Sequence, residues 1–180
     1  AIVGLYRDIY GVRPLPDRLY LEPHLTAELN GTTLRYPLRG QVYEIALNTA
    51  GCAITAGGCT LRDAHPFGVN ATATGLEYFP GTNADWAMSL SRPNARPLTV
   101  QIESWPADPA APRRWTESSP QAKGTTQHVI THLRAHAIYE IKANGKVIAS
   151  SRADQTGRIR FTYKHGYDAP QKFELGLAAQ

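Results

Sequence analysis

His128, His132 and His136 recur at every fourth position in HVITHLRAH, a spacing that on a helix would stack three imidazoles on one face as metal ligands. The residues between them argue against a helix. Val129, Ile130 and Thr131 are β-branched and the flanks alternate, so the segment reads as a strand, in which successive histidines stand about 13 Å apart at ~3.3 Å per residue. One ion cannot bridge that gap, and no metal site is expected here. Cys52 and Cys59 in GCAITAGGC lack the close spacing of zinc pairs. A turn at Gly57-Gly58 would set Ala56 opposite Cys59 and leave Cys52 out of register, which leaves two states open: a disulfide through another loop geometry, or two separate buried thiols. Asp17, Glu22, Glu44, Asp63, Asp85 and Glu103 are the acids from which a glycosidase pair would have to come, and nothing in the sequence pairs them. Asp17 and Asp85 fit turns or caps, and Glu44 points outward in an alternating run. G-x-S-x-G, phosphate-loop and dinucleotide glycine motifs are absent, so no catalytic residue and no cofactor is assigned.

Aromatic residues offer a different chemistry, because a sugar ring stacks on an exposed indole or phenol without any reaction. Tyr78, Phe79, Trp86, Trp105, Trp115, Tyr163 and Tyr167 are the candidates. Trp86 alternates with Met88 and Leu90 and reads as core. Residues 104–123 hold Pro106, Pro109, Pro112 and Pro120, which excludes a regular strand or long helix and predicts an extended surface loop. That loop carries Trp105, Arg113, Arg114 and Trp115; each tryptophan is either a stacking platform or an anchor of the loop. Arg113 and Arg114 add forked donors that favour acidic over neutral glycans. Tyr167, in HGYDAP beside Lys164 and His165, joins them as a carbohydrate-binding candidate.

Composition narrows the classes. The 180 residues include 19 Lys and Arg against 15 Asp and Glu, a net +4 so thinly spread that Arg113-Arg114 is the densest cluster. A nucleic-acid interface would concentrate that charge into a stripe. No apolar run approaches the roughly 20 residues of a membrane span, and a basic-then-apolar signal segment is not seen after Ala1. Fifteen Gly and 13 Pro along the whole length favour an all-β fold with many turns.

Period-2 alternation supplies the strands that must hold these residues: Leu19 and Leu21; Leu34, Tyr36 and Leu38; Tyr43, Ile45 and Leu47; Leu98, Val100 and Ile102. Asn30-Gly31 and the Gly51 to Gly58 segment read as turns, and Tyr139 to Ser150 as a hairpin about Asn144-Gly145. The layout is a β-sandwich of two packed layers, divided near Arg92 to Pro97 into two small antiparallel units, 1–92 and 97–180.

The segments GLYRDIYGVRP, PDRLYLEPHL and LRYPLRGQVYEIAL resemble the region where the helical-barrel catalytic domain of glycoside hydrolases and phosphorylases passes into a C-terminal β-sandwich. Tyr139, Asn144, Gly145, Lys146, Asp154, Gly157 and Phe161 are similar to the pattern of immunoglobulin-like or fibronectin-like modules that trail polysaccharide-degrading enzymes. The resemblance implies a non-catalytic accessory module, secreted or periplasmic, with a polysaccharide or oligosaccharide and the catalytic domain of its parent chain as partners. The scattered charge and the short apolar runs predict no nucleic-acid or membrane partner. A purely structural brace for the catalytic domain and a β-sandwich lyase or hydrolase are the rival expectations.

Overall fold

Wherever apolar and polar residues alternate, the chain is extended, and sixteen strands appear in this computed structural model, which describes residues 4–22, 27–82, 85–92, 97–121, 123–164 and 166–179. In chain order they are β1 (Val12–Pro14), β2 (Leu19–Leu21), β3 (Thr33–Leu38), β4 (Gln41–Asn48), β5 (Gly51–Ala56), β6 (Cys59–Asp63), β7 (Phe67–Ala71), β8 (Gly75–Pro80), β9 (Met88–Ser91), β10 (Leu98–Ser104), β11 (Arg113–Ser118), β12 (Thr126–Ile130), β13 (Ile138–Ala143), β14 (Lys146–Arg152), β15 (Ile159–Tyr163) and β16 (Gln171–Leu177). Two short turns of helix, Leu5–Ile9 and Ala27–Leu29, complete the described elements.

The strands form a seven-stranded sheet, β1-β2-β7-β8-β9-β12-β15, and a nine-stranded sheet, β14-β13-β16-β11-β10-β6-β5-β4-β3. The fold is an all-β sandwich. Its core is one continuous cluster running from Val12 to Leu175, which corrects the expected division into 1–92 and 97–180. Residues 93–96 of that boundary lie outside the described residues, but the strands on either side of it are interleaved. β9 pairs with β12 in one sheet, and β10 pairs with β6 in the other. The β6–β10 contact is the one parallel pair among the described strands, so the chain crosses to the opposite sheet and back between them.

Several local expectations are corrected by turn chemistry. The turn inside LRYPLRGQVYEIAL, which no Asn-Gly or Gly-Gly pair announces, falls at Arg39 and Gly40, whose φ of 51° and 76° close a hairpin between β3 and β4. Gly51 to Gly58 contains strand β5, with the turn confined to Gly57-Gly58. Asn30-Gly31 is the expected turn, with Gly31 at φ 82°, although it leads from β2 in one sheet to β3 in the other and so closes no hairpin. The Asn144-Gly145 turn is as expected, with φ of 49° and 77° joining β13 to β14. β12 ends at Ile130, and His132 and His136 take left-handed φ of 57° and 63° beyond it.

The 104–123 segment departs furthest from expectation. Proline crowds only its first part and its end; from Arg113 to Ser118 no proline interrupts, and β11 fills the space between β10 and β16 near the centre of the nine-stranded sheet. Arg113, Trp115 and Glu117 point into the sandwich, while Arg114 points outward.

Candidate functional site

A β-bulge in β10 shapes the candidate site. Leu98, Val100 and Ile102 face the core, and continued alternation would send Trp105 outward. Ile102 pairs with Trp115, but Ser104 pairs with Arg114, so Glu103 is an extra residue and the phase reverses after it. Trp105 is thereby turned to the inner side, where it meets Tyr78 edge-on at 5.4 Å and Trp115 at 5.9 Å between ring centroids. It stays partly exposed at the rim of the core.

Two hollows adjoin at this indole. The larger, about 540 Å³, is bounded by Asp63, His65, Tyr78, Thr82, Glu103 and Trp105. The smaller, about 340 Å³, lies among Pro80, Asp85, Trp105, Ala107, Arg113 and His132. Pro80 and Pro106 wall both, giving the cleft a rigid apolar rim.

Asp63 anchors the larger hollow. Its side chain is almost wholly buried and accepts hydrogen bonds from the Tyr78 hydroxyl at 2.7 Å and the His65 backbone N–H at 2.9 Å, with the His65 Nδ1 at 3.2 Å. Burial, reinforced by the charge of Asp63, holds the Tyr78 phenol far above its ordinary range. Tyr78 is therefore a neutral phenol that donates to Asp63 and gives up its proton poorly. Cys52 sits opposite Asp63 in the β5–β6 ladder, and burial, then the Asp63 charge, pushes its thiol up to about 12. Cys59 is opposite Ala56 as the Gly57-Gly58 turn predicts, and both cysteines are free, buried thiols.

In the smaller hollow the main charge is Arg113, only 1% exposed. Its Nη2 donates to the His132 carbonyl at 2.9 Å, and its guanidinium carbon lies 5.7 Å from the Trp105 ring centroid. Burial lowers its affinity for the proton, while Tyr139 and Asp108 act in the opposite sense.

Of the five carbohydrate-binding candidates, the fold sets Trp105 and Arg113 on the walls of the two hollows and leaves the other three off them. Trp115 has no exposed surface; it stacks on Phe173 at 5.2 Å and donates its indole N–H to Glu117, so it offers no platform. Arg114 lies on the outer face of the sheet, paired with Glu174 at 2.8 Å. Tyr167 is buried and donates to Glu117 at 2.9 Å, with Thr126 at 2.8 Å. Since Glu117 stands four residues along β11 from Arg113, about 13 Å at ~3.3 Å per residue, Tyr167 belongs to the opposite part of the core. His165 beside it lies outside the described residues. Trp86 is half-buried under Arg158, whose guanidinium carbon is 5.3 Å from its ring, and is not the core residue that alternation with Met88 suggests.

Asp63, His65 and Tyr78 were not singled out together by their sequence, although Cys59, Leu61 and Asp63 share one phase of β6 and that phase is buried. His132, where no metal site was expected, contributes its backbone carbonyl to Arg113. No helix among the described residues is long and apolar enough to cross a membrane. No protein-family model, curated protein or solved structure matches the chain.

Proposed function

We propose that the protein is a carbohydrate-binding accessory module without catalysis of its own, and that a sugar ring packs against Trp105 in the double hollow. The observation that carries this reading is the bulge at Glu103, which gives up regular pairing in β10 and leaves an indole partly exposed between hollows of about 540 and 340 Å³. Asp63, His65, Thr82 and Glu103 surround it with groups suited to sugar hydroxyls. The non-catalytic part rests on occupancy: the buried carboxylate already accepts from Tyr78 and His65, and the Tyr78 phenol is held protonated.

Affinity electrophoresis against neutral and acidic polysaccharides, beside thermal melts, tests the reading. Trp105→Ala should weaken retardation by about fivefold or more, the loss of at least about 1 kcal/mol for an aromatic anchor, and Trp105→Phe should retain more of it. Retardation unchanged in Trp105→Ala would refute the site. Product release from any polysaccharide that vanishes in Asp63→Asn would favour the lyase or hydrolase alternative. Bracing of a catalytic domain has its own support in Leu5 and Ile9, 43% and 42% exposed on the first helical turn. It would be favoured if no glycan is retarded and Leu5→Ser with Ile9→Ser improves solubility.

A further inference from the structure

We infer that the smaller hollow is a carboxylate subsite, so that the glycan taken by the cleft carries uronate residues, with the uronate ring against Trp105 and its carboxylate on Arg113. This rests on the carbohydrate-binding reading of the cleft. Arg113 carries the inference because its surroundings leave most of its N–H donors unpaired. Arginine has five N–H donors, and among the described residues one hydrogen bond is made, to the His132 carbonyl. Nε and Nη1 are buried with no partner. No carboxylate among the described residues lies within 4.0 Å of the guanidinium; Asp108 acts on it only from beyond ion-pair range. The contrast with its neighbour is direct, since Arg114 on the outer face is paired with Glu174 at 2.8 Å.

A buried cation without a counter-ion is unfavourable unless something supplies the charge. Arg113 is 1% exposed, yet it lines a hollow of about 340 Å³, room for a single ring. The remaining walls favour a flat ligand with one anionic group. Trp105, Pro80, Pro106, Ala87 and Ala107 are apolar, and one guanidinium matches one negative charge. Asp85 is the one acid among the described residues of the lining and is exposed to solvent, where its charge is screened and its oxygens can accept from ring hydroxyls. The larger hollow carries Asp63 and Glu103 instead, so the carboxylate is directed to the Arg113 side of the indole.

Isothermal titration calorimetry of the whole chain with a uronate oligosaccharide, its carboxyl-reduced neutral counterpart of the same length, and a sulfated neutral oligosaccharide provides the test. The uronate should bind about tenfold more tightly than the neutral ligand, the ratio a charge-assisted hydrogen bond supplies, and Arg113→Gln should collapse that difference. Arg113→Lys should restore only part of it, because a point charge lacks the planar fork. If Arg113→Gln does not fold, the wild-type ratio and Arg113→Lys decide. Equal binding of uronate and neutral ligands by the wild type overturns the carboxylate subsite and leaves the carbohydrate reading standing. Tighter binding of the sulfated ligand overturns the choice of carboxylate, and absence of binding by all three overturns both readings.

Discussion

Glu117 has no exposed surface, yet three side chains converge on its carboxylate: Trp115 Nε1 at 2.8 Å, His128 Nε2 at 2.5 Å and the Tyr167 hydroxyl at 2.9 Å. Burial alone would push this carboxyl up, but the pull of His128 and the converging hydrogen bonds bring it below its ordinary value of 4.5. A carboxyl whose folded value is lowered stabilises the fold fully above its unfolded value and loses that contribution as pH falls through the folded one. The gap in unfolding free energy between wild type and Glu117→Gln should therefore be widest near neutral pH and narrow on acidification below about 4.5. Denaturant melts from pH 3 to 7 would read it; Asp17, Asp154 and Glu174, also lowered, titrate in both proteins and cancel. A gap independent of pH would overturn the assignment. Glu117→Ala should cost on the order of 3–5 kcal/mol, because it strands His128 among Trp115, Phe161 and Phe173.

At the scale of elements, backbone approach sets the tolerance. Gly75 opens β8 opposite Ser91, and a methyl group there would meet the Leu90 carbonyl oxygen at 1.8 Å, which only movement of β9 could relieve. Gly75→Ala should destabilise by about 1–3 kcal/mol or more. Gly176→Ala in β16, whose nearest neighbour would be Pro112 at 3.9 Å, should change stability far less. Thermal melts of the two variants check this, and equal losses would contradict the packing of β8 on β9. The elements legible in the sequence were those whose alternation and turn residues agree, such as β4 and the β13–β14 hairpin about Asn144-Gly145. The candidate site was less legible for a definite reason. Its central feature is a one-residue bulge, and alternation read from Leu98 onward assigns Trp105 to the wrong face once Glu103 is extra. Arg113, Trp115 and Glu117 alternate as a strand, but the prolines around them suggested a loop, and a strand of polar and charged residues becomes interior only through the neighbours β10 and β16 that no local pattern records. Trp105 and Arg113 were both named from the sequence, and their meeting at 5.7 Å depends on that tertiary arrangement.

At the scale of the whole molecule, the two units suggested by turn chemistry are woven into one body. β9 reaches its partner β12 across the 93–97 region, and the parallel pair β6–β10 forms only after the chain has laid down β7, β8 and β9 in the other sheet. Trp115 from the second half packs with Trp105, which in turn contacts Tyr78 from the first. Neither half therefore closes a core, and each would expose the sheet edge and apolar face that the other covers. The chain should unfold in a single transition, with tryptophan fluorescence, dominated by Trp105 and Trp115, coinciding with far-ultraviolet circular dichroism, which reports strands throughout. Residues 97–180 expressed alone should lack a cooperative melt, because β10 and β12 would lose β6 and β9. Two separated transitions, or a sharp melt of 97–180 at a temperature close to that of the full chain, would show that the interleaved pairs contribute little and that the halves are independent after all.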